Sequence, residues 1–215
     1  MNVYACDAVR EVRKLYQGAP IASFKSTIEL ITQHAEILLT AFQSNQAVAK
    51  FQISNWHPTL VGKSAKVIFA CDFTLEDSKA TLAREFGYQN WNDAEARSER
   101  LDQGFEQCVD LALAGEVETL KSKLVANPRY ANQTSSFGHR ATLLLYLAAN
   151  GVETWRQVVP TNVVEIARLL VGSGADKNAK MNVYGGEFNT IALVESSAHP
   201  NAAGVAKELV SYLTA

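Results

Sequence analysis

Apolar residues recur along this 215-residue chain at intervals of three and four, the spacing of helices that bury one face. In residues 28–42, Ile28, Leu30, Ile31, Ala35, Leu38, Leu39 and Phe42 cover one broad stripe. Ser23 or Ser26 can cap its start, because a side-chain oxygen there accepts an orphaned backbone N–H. A turn at Ser44-Asn45 leads into a helix over 46–53. That helix must stop near His57-Pro58, since the residue before proline is driven from helical geometry. Thr74 and Asp77 have capping-box spacing and open a helix that Gly87 ends; Asn90 then caps a short one. Residues 105–114 and 117–126 read as a helix pair turning at Gly115-Glu116. Further helices are expected over 140–150, and over 163–172 with Asn162 as its cap. Strand-like alternation is scarce, and the apolar run 67–70, the one serious candidate, fits a helix equally well. The pattern predicts an all-α chain, with a helical region over 1–104 and a second array over 105–215, divided at 101–104.

Composition adds limits. The chain is 47% hydrophobic and 20% charged, with a net charge of −2, so no basic excess points to a polyanion partner. Cys6, Cys71 and Cys108 are odd in number and far apart, without metal-ligand spacing, so buried or half-buried thiols in a reducing cytoplasm are expected and neither a metal nor a cofactor. Residues 1–17 interleave charge with apolar positions as an amphipathic helix does, unlike a signal peptide. No stretch approaches the roughly 20 apolar residues of a membrane span.

The segment Arg168-Leu-Leu-Val-Gly-Ser-Gly-Ala-Asp-Lys-Asn-Ala179 resembles the end of an ankyrin repeat, with its leucine pair and Gly-Ala-Asp-x-Asn-Ala. Leu169 and Leu170 would bury an outer helix, Gly174 would end it, and Asp176 and Asn178 would set a protruding turn. Residues 137–151 resemble the start of the same repeat, with leucines where the family has Pro and His. The unit is lengthened by an insertion around 153–160. Weaker copies flank it over 105–131 and 184–213. The run Ala83-Arg-Glu-Phe-Gly-Tyr-Gln-Asn-Trp91 is similar to an element that precedes ankyrin repeats in bacterial proteins. The resemblance implies a degenerate, stacked helix-turn-helix solenoid of bacterial origin that binds other proteins.

Candidate chemistry is sparse. No HxxxH spacing, phosphate loop or grouped carboxylates occur. His57 and His199 precede proline, where turn geometry accounts for them; His34 reads as surface and Cys108 as a core thiol. Glu165, Asp176 and Glu195 form no acid–base group. On the repeat reading, Phe137, His139, Tyr184 and Phe188 fall at exposed tips, and Trp155-Arg156 on the insertion joins them as a candidate interaction surface, Trp and Arg being the types most enriched in hot spots. For Trp155, folding back over the helix ends is the competing expectation. Val205, Leu209 and Tyr212 in the last repeat are expected to expose apolar surface and support weak self-association or partner contact.

Three functions remain open at this level: a non-enzymatic protein-binding scaffold with an unidentified protein partner; a nucleic-acid binder using the 74–97 helix-turn-helix, which the acidic start of its second helix disfavours; and an enzyme whose site is assembled only by folding.

Overall fold

Several helices begin where a side chain satisfies one of their first backbone donors. The computed structural model, which describes residues 3–215, opens with a short strand, β1 (Val3–Tyr4), and then α1 (Asp7–Tyr16). Ser26 Oγ accepts from Glu29 N at the start of α2 (Thr27–Gln43), while the Glu29 carboxylate accepts from Lys25 N. The next helix, α3 (Ala47–Trp56), ends at His57 in extended geometry, as the following proline requires. A single turn, α4 (Ala65–Ile68), takes in the first half of the apolar run 67–70, and the rest is turn, so no strand forms there. Thr74 and Asp77 form a complete capping box for α5 (Leu75–Glu85), and Asn90 Oδ1 accepts from Asp93 N to start α6 (Trp91–Ala96).

The later half repeats this logic. Asp102 caps α7 (Gln103–Ala114), which reverses at Gly115 into α8 (Val117–Ala126). A single turn, α9 (Leu143–Tyr146), is all that forms in the stretch expected as a helix over 140–150. Arg140 and Ala149 bracket it with positive φ of 58° and 48°, which no helix tolerates, and 141–149 are buried on every side. The short strand β2 (Val159–Pro160) pairs antiparallel with β1. Asn162 precedes α10 (Val163–Gly172) but does not cap it; its amide instead donates to Gly115 O. Asp176 accepts from Asn178 N, setting the turn that leads into a hairpin of β3 (Lys180–Val183) and β4 (Gly186–Asn189). Three helices follow: α11 (Thr190–Ser196), α12 (Ala198–Ala202) and α13 (Ala206–Thr214). The chain is mostly helical with a few short strands, and no helix among the described residues is long and apolar enough to cross a membrane.

The apolar faces meet in two main clusters. Leu30, Ile31, Leu38, Leu82 and Phe86 build the first, and Phe137 and Trp155 reach into it from the later half. Phe105, Val109, Leu120, residues 143–149, Ile166 and Leu170 build the second, which takes in Ala5 and Val9 from the start of the chain. The segments either side of 101–104 therefore share their interior. A small third cluster of Ile53, Ile68 and Phe73 closes the loop after α3.

Candidate functional site

Most of the residues expected on an exposed interaction surface are interior. Phe137 is fully buried, its ring 4.8 Å from Phe86. His139 and Arg156 are buried as well. Trp155 is half-buried and takes the competing course, folding back so that its ring meets His34 at 5.0 Å, Phe86 at 5.4 Å and Tyr16 at 5.8 Å. Phe188 is half-buried against the second cluster. Only Tyr184 stands out, 63% exposed. Leu209 is buried where the last helix packs on α10 and α11, so Val205, Leu209 and Tyr212 form no continuous exposed patch. His34, expected on the surface, is buried and stacked on Tyr16 at 4.1 Å.

The misplaced polar residues assemble into a network across the seam between the two clusters. Glu85 Oε1 accepts from the backbone N of Thr154 at 2.8 Å, and its Oε2 accepts from Gln52 Nε2 at 2.9 Å. Burial, with the nearby charge of Glu153, raises the Glu85 carboxyl to about 7 against the Thr154 and Gln52 hydrogen bonds that favour its ionised form. Burial lowers His34 to about 4, leaving a neutral ring whose Nε2 donates to Ala19 O at 3.0 Å. His139 Nδ1 accepts from Ala141 N, so its proton sits on Nε2, 3.6 Å from Glu153 Oε1. Burial would raise Glu153, but His139 and the Arg156 guanidinium outweigh it and keep this carboxylate low. Tyr146 also donates to Glu153, at 3.1 Å.

Arg156 closes the network, donating to Glu106 at 2.5 Å and to Asp110 at 2.9 Å. Its burial is outweighed by the charges of Glu106, Asp110 and Glu153, so it stays cationic. Burial and the charge of Glu153 draw Glu106 upward, against the guanidinium. The contact has the short geometry of a carboxylate accepting from a guanidinium, and we take the pair as charged. Apart from Asp110, which is exposed at one end, the members lie beneath side chains or backbone, so the network is positioned to join the two clusters rather than to meet a solute.

Above the seam lies an open cleft of about 1130 Å³. One wall is the end of α3 and the loop beyond it, with Asn55, Trp56, Pro58 and Val61; another is the end of α5, with Arg84 and Gln89, joined by Arg97; the third is the hairpin tip from Asn182 to Glu187. The floor is main chain. A Cβ on Gly138 would come within 2.6 Å of the Gly87 carbonyl carbon, and one on Gly87 would overlap the His139 backbone. Only glycines allow the two strands of chain to cross here, and His139 N donates to Phe86 O at the crossing. Asn182 N in turn donates to His139 O, which ties the hairpin to the same floor.

The hairpin tip departs from ordinary turn chemistry. Val183 pairs with Gly186, leaving Tyr184 and Gly185 as a two-residue loop with φ of 55° and 80°. Positive φ at both positions marks a type I′ turn, whose first residue is usually Asn, Asp or Gly. Tyrosine there costs on the order of 1 kcal/mol of backbone strain. Its ring lies parallel to Trp56, centroids 6.1 Å apart, and its hydroxyl donates to Asn150 Oδ1 at 2.9 Å. Trp56 is fixed from behind by a hydrogen bond from Nε1 to Thr154 Oγ1 at 3.2 Å. Val61 is 51% exposed, so two of the large apolar residues left in solvent face this one cleft. Arg84 is exposed and has no hydrogen-bond or ion-pair partner among the described residues; Arg97 is held by Asp93 at 3.1 Å.

The cleft takes one residue, Tyr184, from the expected surface. Trp56, Val61, Arg84 and Arg97 escaped notice because each sits on a separate element and no spacing links them. Comparison of the chain with protein-family models, with curated proteins and with solved structures gave no match.

Proposed function

We propose that this chain is a non-enzymatic protein-binding module, built on ankyrin-like helix pairs, that engages its partner through the cleft beside Tyr184. The observation that carries the reading is the exposed tyrosine in a strained turn position that Asn or Gly would fill at lower cost. Departures from local rules concentrate where function opposes stability. An aromatic with free area beside an unpaired arginine supplies the residue types that dominate binding energy. What supports the ankyrin-like part of the reading is the α7–α8 pair and the hairpin that follows α10 and Asp176, although α9 is a single turn and gives α10 no full-length partner helix.

The non-enzymatic part rests on where the titratable groups lie. Glu85 and His34, the carboxyl and imidazole whose affinities for protons are most displaced, are shut inside the seam. The cleft lining offers Arg84, Arg97 and Glu187 but no nucleophile with an adjacent base.

The test is capture of partners on the full chain from lysate, with a photo-crosslinking side chain at Val61 to mark what enters the cleft. A protein crosslinked in the wild-type background, lost with Tyr184→Asn and retained with Val125→Lys, supports the reading. Val125 is 74% exposed on α8, away from the cleft, and serves as the control. Partners lost with Val125→Lys and kept with Tyr184→Asn would move the interface elsewhere.

A further inference from the structure

The lining of the cleft specifies a chemistry as well as a location. Its most exposed apolar side chains are Val61 and Tyr184, set beside Trp56 and Pro58. Its cations, Arg84 and Arg97, sit on the α5–α6 side, and its one carboxylate, Glu187, on the hairpin. Around them the side-chain amides of Gln89 and Asn182 have no partner among the described residues, so each offers both a donor and an acceptor. Resting on the protein-binding reading, we propose that the cleft seats an extended polypeptide segment with a bulky apolar side chain laid on Trp56, Val61 and Tyr184 and an acidic side chain paired with Arg84 and Arg97.

Charge complementarity decides the sign. The whole chain carries −2, yet this wall presents two guanidiniums, one of them uncommitted, along one edge of the cleft. Glu187 opposes a second acid at the other wall, which fixes the direction of the segment: acidic residue towards α5, neutral or basic residues towards the hairpin.

Size and polarity decide the class. The volume lies above the roughly 300–1,000 Å³ of ordinary small-molecule sites, and the cleft is open rather than enclosed. A nucleic-acid strand would bring a phosphate at every residue, for which two cations opposed by Glu187 are too few. Amides that both donate and accept suit the alternating C=O and N–H of an extended backbone. The floor at Gly87 and Gly138 carries no Cβ, and Arg97, whose Nη2 donates to Gly138 O at 3.4 Å, lies at its edge, so a backbone can be seated beside the guanidinium it would pair with.

The experiment is selection of a displayed library of random twelve-residue peptides on the full chain, followed by fluorescence polarisation with the enriched peptide made synthetically. We expect Asp or Glu at a fixed spacing from Trp, Phe or Leu. Arg84→Glu is expected to weaken binding about tenfold or more, and the peptide with Lys in place of its acid is expected to recover affinity for that variant. Tyr184→Asn is expected to weaken binding while its urea midpoint stays level or rises, which separates lost contact from lost folding. Peptides that depend on Tyr184 but carry no acid would overturn the acidic specificity and leave the protein-binding reading standing. No enrichment, or enrichment indifferent to both variants, would overturn the cleft as a peptide site altogether. Binding of a labelled single-stranded oligonucleotide that Arg84→Glu abolishes would replace the occupant.

Discussion

Replacing Glu85 by Gln removes one side of a balance between two oppositely perturbed groups in the seam. Glu85 has its ordinary value of 4.5 when unfolded and about 7 when folded. Its raised affinity for protons stabilises the fold fully below 4.5, and that contribution is lost as pH rises through 7. His34 goes the other way, from 6.5 unfolded to about 4 folded, so its contribution is present above 6.5 and lost as pH falls through 4. Between pH 4.5 and 6.5 the unfolded chain has an ionised Glu85 and a protonated His34, while the folded chain has neither charge. Proton counts then match, and this pair contributes no slope. At about 1.4 kcal/mol per pH unit, each alone would change stability by about 3 kcal/mol across that window.

The Glu85→Gln variant unmasks His34. Its geometry is permissive: the new amide oxygen can keep the Thr154 N–H, and Gln52, whose Oε1 is unpartnered, can turn to accept from the new amide nitrogen. Urea unfolding at half-unit steps from pH 4.5 to 6.5 should show this variant gaining about 3 kcal/mol with rising pH relative to wild type. His34→Gln should lose about as much over the same range, whatever its absolute stability, because the reading is a slope. Profiles parallel to wild type in both variants would refute the assignment of these protonation states.

Three further outcomes are expected. Arg156→Met should leave Glu106 and Glu153 buried without their cation and cost about 3–5 kcal/mol in urea unfolding; a loss under about 1 kcal/mol would mean the pair matters little. Gly138→Ala should destabilise by about 1–3 kcal/mol through collision with the Gly87 backbone, whereas Gly172→Ala, with nothing within 4 Å, should gain roughly 0.5–1 kcal/mol; equal effects would deny the tight crossing. Thr74→Ala should cost about 1 kcal/mol by removing the α5 cap, read as a lowered melting temperature, and an unchanged one would show the capping box to be idle.

The helices legible in the sequence are those whose starts are marked by a side chain and whose faces differ. Ser26, Thr74, Asn90 and the Gly115 turn all stand where their chemistry requires. The stretch 140–150 was illegible because every side of it is buried, so apolar residues carry no period. Lys180–Val183 does alternate exposed and buried residues, but four residues are a weak signal, and the tyrosine in the turn hides the hairpin. Polar residues misled most. His34, His139 and Arg156 read as surface because solvation is the default for such groups, and the partners that allow their burial, Ala19, Glu153 and Glu106 in turn, lie 14 to 50 residues away. Of the site, only Tyr184 was visible, since its exposure follows from its own turn, whereas Trp56, Val61 and Arg84 become neighbours only through packing.

The crossing of residues 87 and 138 divides labour within the cleft. A floor made of main chain has the same donors and acceptors whatever side chains surround it, so it cannot be tuned to prefer one ligand over another by substitution. All discrimination falls to the rims, on three elements that substitutions can alter without disturbing the crossing. A designer wishing to redirect this cleft would leave the floor alone and rewrite positions 61, 84 and 184, treating the module as a fixed bed with exchangeable edges.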